Sequence, residues 1–261
     1  MRFVVLAVAL AACQSSPNHR ATRVPAPSTQ AASVETLDAP GEPIDDLRPQ
    51  PPPSKRFEHD MMLRFHMHGS LDLVRAIERL LIRGSVEEAR SLARAIAEAP
   101  SELDLGAWAV QAMAVRERAA AVAAAPGLDE AIRREARLAE ACADCHVETR
   151  IQPEFRAWPP LPPDRDTVEA RMARHRWAAD RLWEGVIGGD DGPWRAGLGV
   201  LAAAPLRWPE LSERKGFARS LQQLADQARQ RQATDSVAER ARSYGEMLVV
   251  CAACHTTRPA P

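Results

Sequence analysis

Residues 236–255 read Ser-Val-Ala-Glu-Arg-Ala-Arg-Ser-Tyr-Gly-Glu-Met-Leu-Val-Val-Cys-Ala-Ala-Cys-His. Ser236 with Glu239 three residues on is a capping-box pattern, so a helix begins there. It ends on Cys251-Ala-Ala-Cys254-His255. A second helix, beginning near Asp129, ends the same way on Cys142-Ala-Asp-Cys145-His146. Working outward, the repeat extends well beyond these motifs. Leu81-Ile82-Arg83-Gly84 matches Val186-Ile187-Gly188-Gly189, and Ala97-Glu98-Ala99-Pro100 matches Ala202-Ala203-Ala204-Pro205, both at an offset of 105 residues. The Cys motifs are 109 apart, so four residues are inserted between.

Each unit reads as helical. Leu63, Met67, Ser70, Val74, Ile77 and Leu81 fall alternately four and three residues apart, and their counterparts are Val168, Met172, His175, Ala179, Leu182 and Val186. Gly84 and Gly189 stop these first helices. Ser85 with Glu88 is a capping-box pattern for the second helix, and Pro193 fits the first turn of its counterpart. Third helices are expected near 103–124 and 209–231, and no stretch alternates as a strand does. The expected fold is all-α: two tandem antiparallel four-helix bundles, over 57–150 and 167–257, each ending its fourth helix on a Cys motif. Residues 151–166, with Pro153, Pro159, Pro160, Pro162 and Pro163, link the two.

Cys-X-X-Cys-His is the attachment signature of a c-type haem. Two thiols add across the two vinyl groups of one haem, and the histidine turns its imidazole onto the iron. On a helix, positions i and i+3 share a face, so Cys142 with Cys145, and Cys251 with Cys254, reach one porphyrin edge. His146 and His255 are then the proximal iron ligands. A lone Cys-X-X-Cys also fits a redox dithiol or half a zinc site, but zinc requires the two motifs to meet in space. The expected cofactors are two covalently attached haem c groups.

The start of the chain reads as an export signal. Arg2 is its charged region, Phe3 to Leu10 are apolar, and Leu10-Ala11-Ala12-Cys13 resembles a bacterial lipobox. That resemblance implies removal of residues 1–12 and lipidation of Cys13. Gln14 stands where an Asp commonly retains such lipoproteins in the inner membrane, which favours the periplasmic face of the outer membrane. The five cysteines are then fully assigned: Cys13 to lipid and four to two haems. Residues 13–56 are rich in Pro, Ser, Ala and Thr with no apolar period, and read as a linker that gives the body reach from its anchor.

An export signal followed by four helices with Cys-X-X-Cys-His at the end of the last resembles the cytochrome c-prime class. Gly216-Phe217, Leu221, Leu224, Ala225 and Ala228 through Cys251 carry the closest match. Arg150 sits four residues after His146, where the class often has an Arg, whereas the second unit has Arg258 only three after His255. The resemblance implies that a residue of the first helix faces the far side of each iron. Met67 and Met172 match that position to within one residue. His175 and His68 are second choices, and Ser70 occupies the position in unit 1 that His175 occupies in unit 2. A Met ligand suits electron transfer, and an iron with no sixth protein ligand suits binding of small gases.

Trp108, Trp177, Trp183, Trp194 and Trp208 are expected in the core or at a haem edge, with Trp158 between the units. Arg133, Arg134 and Arg137 are expected on a solvated face, available to haem propionates or an acidic partner. Net charge is −1, which points to no strongly charged partner and no nucleic acid. The leading expectation is a membrane-anchored electron carrier with redox protein partners, not an enzyme, since no acid–base constellation for a peroxidase is found. The alternative is nitric oxide or carbon monoxide binding. Bundles of this class are often homodimers, and here two units in one chain can take the dimer's place.

Overall fold

The computed structural model describes residues 55–99, 108–203 and 214–257, with side chains from Met61 onward. Cys13, Trp208 and Arg258 lie outside the described residues. Among those described, the chain is all helical, with no strand. Helices α1 (Lys55–Ile82), α2 (Val86–Glu98), α3 (Ala109–Ala123) and α4 (Leu128–Thr149) come from the first repeat. Helices α5 (Val168–Ile187), α6 (Asp191–Ala203), α7 (Lys215–Arg231) and α8 (Val237–Thr256) come from the second.

The helix ends follow from local chemistry. Gly84 (φ 79°) and Gly189 (φ 61°) adopt the left-handed conformation that costs glycine least. At Gly84 the turn closes fully: its N–H bonds Leu81 O at 2.9 Å and the Ser85 N–H bonds Leu80 O at 2.9 Å. This explains why Ser85 fails as the expected cap of α2. Its backbone is committed to ending α1, its ψ of 66° is outside the extended region a cap needs, and its side chain makes no cap bond. Ser236 does form its capping box with Glu239. Helix α4 ends immediately after its motif, with Arg150 held left-handed (φ 56°) and the Ile151 N–H bonded to His146 O at 3.0 Å.

The stripe positions Val74, Ile77 and Leu81 of α1, and Leu182 and Val186 of α5, are buried. Each helix packs on its sequence neighbour within a repeat, and the repeats meet through α1, α4, α5 and α8: α4 lies on α8 and α5, and α8 lies on α1 as well. One apolar core runs from Val74 to Ala252 through both repeats. Equivalent residues of the two repeats touch each other. Arg75 Nη2 donates to Asp180 Oδ1 at 2.7 Å across the 105-residue offset. A Cβ on Gly245 would lie 3.1 Å from that of Ala136, its partner at the 109-residue offset. Two such self-matched contacts mark an approximate two-fold axis passing between α1 and α5 and through the α4–α8 crossing. Equally close packing joins α5 to α6, where a Cβ on Gly185 would meet the Trp194 backbone at 2.7 Å.

The segment before α5 lies along that helix. Trp177 Nε1 donates to Pro159 O at 2.9 Å, Arg174 Nη1 donates to Pro162 O at 2.7 Å, and Trp158 stands edge-on to Trp177. Trp158 therefore packs on α5, under the Arg181 guanidinium, rather than between repeats. Trp183 and Trp194 are core residues as expected. The arginines of α4 are engaged: Arg133 pairs with Glu246 of α8, Arg134 with Glu130, and Arg137 with Glu140.

Candidate functional site

Both Cys motifs lie in the last turns of their helices, α4 and α8. The four cysteines are free and half-buried. Burial, then the neighbouring thiol of the same motif and a nearby glutamate, pushes Cys142 and Cys251 up to about 12. Burial also raises Cys145 and Cys254. All four therefore remain thiols at neutral pH. A helix C-terminus, with its negative dipole end, disfavours a thiolate as well. Thr149, Thr256 and Thr257 donate their hydroxyls to carbonyls four residues back, at 2.6, 2.8 and 2.6 Å, and hold these last turns closed.

His146 is oriented by the other repeat. Its Nδ1 lies 3.0 Å from the carbonyl of Ile187, the last residue of α5. A carbonyl only accepts, so Nδ1 is the donor, and Nε2 is the ring nitrogen left for another partner. His255 lies exposed at the end of α8, where Arg214 Nη2 caps the Thr257 carbonyl at 3.0 Å.

The side chains that the sequence offers as distal ligands, Met67, Met172, His175 and His68, differ in setting. Met67 is 37% exposed, between exposed His66 and His68. Met172 and His175 are half-buried one turn apart on α5. The Nε2 of His175 is buried with no hydrogen-bond partner. Burial, and then the charges of Arg171, His255 and Arg174, push the His175 ring down to about 4, so it is neutral at pH 7. Among the described residues, no three His, Cys, Asp or Glu side chains group as a ready-made metal cage.

One polar cluster was not anticipated from the sequence. Glu78 of α1 and Glu135 of α4 are buried, and the hydroxyl of Tyr244 on α8 donates to Glu78 Oε1 at 2.8 Å. Neither carboxylate oxygen of Glu135 has a partner. Burial pushes Glu78 from 4.5 up to about 7, against the pull of Arg75 and the Tyr244 bond. Burial, then the charge of Glu78, raises Glu135 well above its usual range. Glu135 and Tyr244 are repeat equivalents at the 109-residue offset, so the cluster sits at the approximate two-fold axis. A signal was present: Glu78 interrupts the apolar set Val74, Ile77 and Leu81, and Tyr244 is the chain's single tyrosine.

No protein-family model matches the chain, and neither a curated protein nor a solved structure matches it.

Proposed function

We propose that the chain is a membrane-anchored, periplasmic dihaem c-type cytochrome that carries electrons between redox partner proteins. Its eight helices would form two four-helix bundles fused about the approximate two-fold axis, with Cys13 supplying the lipid anchor. The observation that carries this reading is the twice-repeated Cys-X-X-Cys-His at a helix C-terminus, with all four thiols free and protonated. A redox dithiol needs a depressed thiol, the reverse of what burial and the dipole do here. A shared zinc site needs the two motifs grouped, and the described side chains make no such group.

The residues present fit a haem at each motif. Two free thiols lie on one helix face at each, and the bond of His146 Nδ1 to Ile187 O fixes the ring with Nε2 left over for the iron. A bound haem supplies reversible one-electron chemistry. The chain's own residues orient the proximal ring, bury Glu78 and Glu135, keep the Glu78 carboxyl protonated at pH values below about 7, and hold that of Glu135 well above the usual carboxylate range. Arg75 with Asp180 and Arg133 with Glu246 hold the two repeats in a fixed relation.

Met67 and Met172 remain the ligands that the family resemblance favours for an electron carrier. The exposure of Met67 favours a second reading for the first site, an open iron that binds nitric oxide or carbon monoxide. The test is the visible spectrum of the exported, haem-loaded chain, oxidised and reduced, with and without carbon monoxide. An electron carrier gives low-spin spectra that the gas does not move. High-spin haem that takes up carbon monoxide in both units makes gas binding the function instead.

A further inference from the structure

Helices α5 and α8 pack together, and their direction is fixed by an ion pair. Arg240, near the start of α8, donates to Asp191, four residues past the end of α5. The two helices therefore run antiparallel. His175 lies 12 residues before Ile187, about 18 Å along α5 at 1.5 Å per residue. His255 lies 15 residues after Arg240, about 22 Å along α8. The two histidines thus come level to within about one helical turn. His175 brings to this place a buried, unpartnered Nε2, the atom with which an imidazole ordinarily binds a metal. A buried polar atom with no partner is costly unless something satisfies it.

We propose that His175, rather than Met172, is the sixth ligand of the iron held by Cys251, Cys254 and His255, and that the two sites of this chain are chemically unlike. This rests on the dihaem reading above. The first repeat has Ser70 at the position of His175, and a serine hydroxyl is no strong iron ligand. Only the second site can be bis-histidine by this route. The first has only the exposed Met67 and His68 to offer, or stays open. The arrangement gives one low-spin centre with a fixed ligand set and one centre that can exchange its ligand.

The experiment uses the full exported chain. Low-temperature electron paramagnetic resonance of the oxidised wild type is expected to show one bis-histidine low-spin haem per chain. His175→Ala is expected to turn half of the total haem high-spin and reactive to carbon monoxide, with low-spin character restored by added imidazole. Met172→Ala is expected to change neither. Two covalent haems with no bis-histidine signal, or a His175→Ala spectrum identical to wild type, overturns the inference and leaves the dihaem reading standing. A wild type with no covalent haem overturns both. Should His175→Ala fail to fold, the wild-type resonance spectrum decides alone.

Discussion

The buried Glu78 carboxyl makes the stability of this fold depend on pH with a defined sign. In the folded chain it holds its proton up to about 7, against 4.5 for an unperturbed glutamate. Well below 4.5 the carboxyl is protonated in both states and contributes no pH dependence. Between 4.5 and about 7 the unfolded chain releases the proton while the folded chain keeps it, so stability falls as pH rises, and it levels off above 7. Each tenfold change in proton affinity is worth about 1.4 kcal/mol, so the whole loss is about 3 kcal/mol. Glu135 and Glu184, both raised by burial, act with the same sign, and His175 acts with the opposite sign. Arg75, Asp180, Arg79 and Tyr244 also face Glu78, so single-pH measurements mix several terms. Comparison with Glu78→Gln removes this titration together with its charge on Glu135. Gln keeps an oxygen for the Tyr244 hydroxyl and cannot ionise. In urea unfolding at several pH values, the stability of the variant relative to wild type is expected to rise by about 3 kcal/mol from pH 4.5 to above pH 7, most of it by pH 7. In thermal unfolding this is roughly 6–12 °C for a body of this size. A difference that stays constant across that range refutes the reasoning, because it means Glu78 is hydrated or ionised in the folded chain.

Three further outcomes are expected. Gly185→Ala drives a methyl group into the Trp194 backbone, which no side-chain rotation relieves, and is expected to cost about 1–3 kcal/mol in urea unfolding. Arg150→Gly relieves the one left-handed non-glycine among the described residues and is expected to raise stability by about 0.5–1 kcal/mol, with haem content unchanged. With the two repeats already joined about an approximate two-fold axis, the exported chain is expected to be monomeric by light scattering. A mass twice that of the chain counts against the fusion standing in for a dimer.

Much of the helical framework was legible because it depends on local signals. Gly84 and Gly189 end α1 and α5 at the expected residues, and Ser236 caps α8 as its pattern implies. The capping box at Ser85 failed because one residue cannot both close α1 and open α2 when the turn is this short. Contacts between repeats were not legible. Nothing local says that Arg75 meets Asp180, its own equivalent, or that Ile187 of the second repeat orients His146 of the first. The arginines of α4 read as a solvated face, yet Arg133 reaches Glu246 on α8. Glu78 and Glu135 lie at core spacing, but a carboxylate there reads as surface until the opposing helix is known.

The central claim is that each Cys-X-X-Cys-His holds one haem covalently. The most direct measurement is haem content after denaturation and solvent extraction, for the exported wild type and for the paired Cys→Ser variants of each motif. Two haems per chain in the wild type, one when Cys142 and Cys145 are replaced, one when Cys251 and Cys254 are replaced and none when all four are replaced is the outcome this account requires. A wild type that loses all its haem to the solvent, or that carries zinc or a disulfide at either motif, contradicts it.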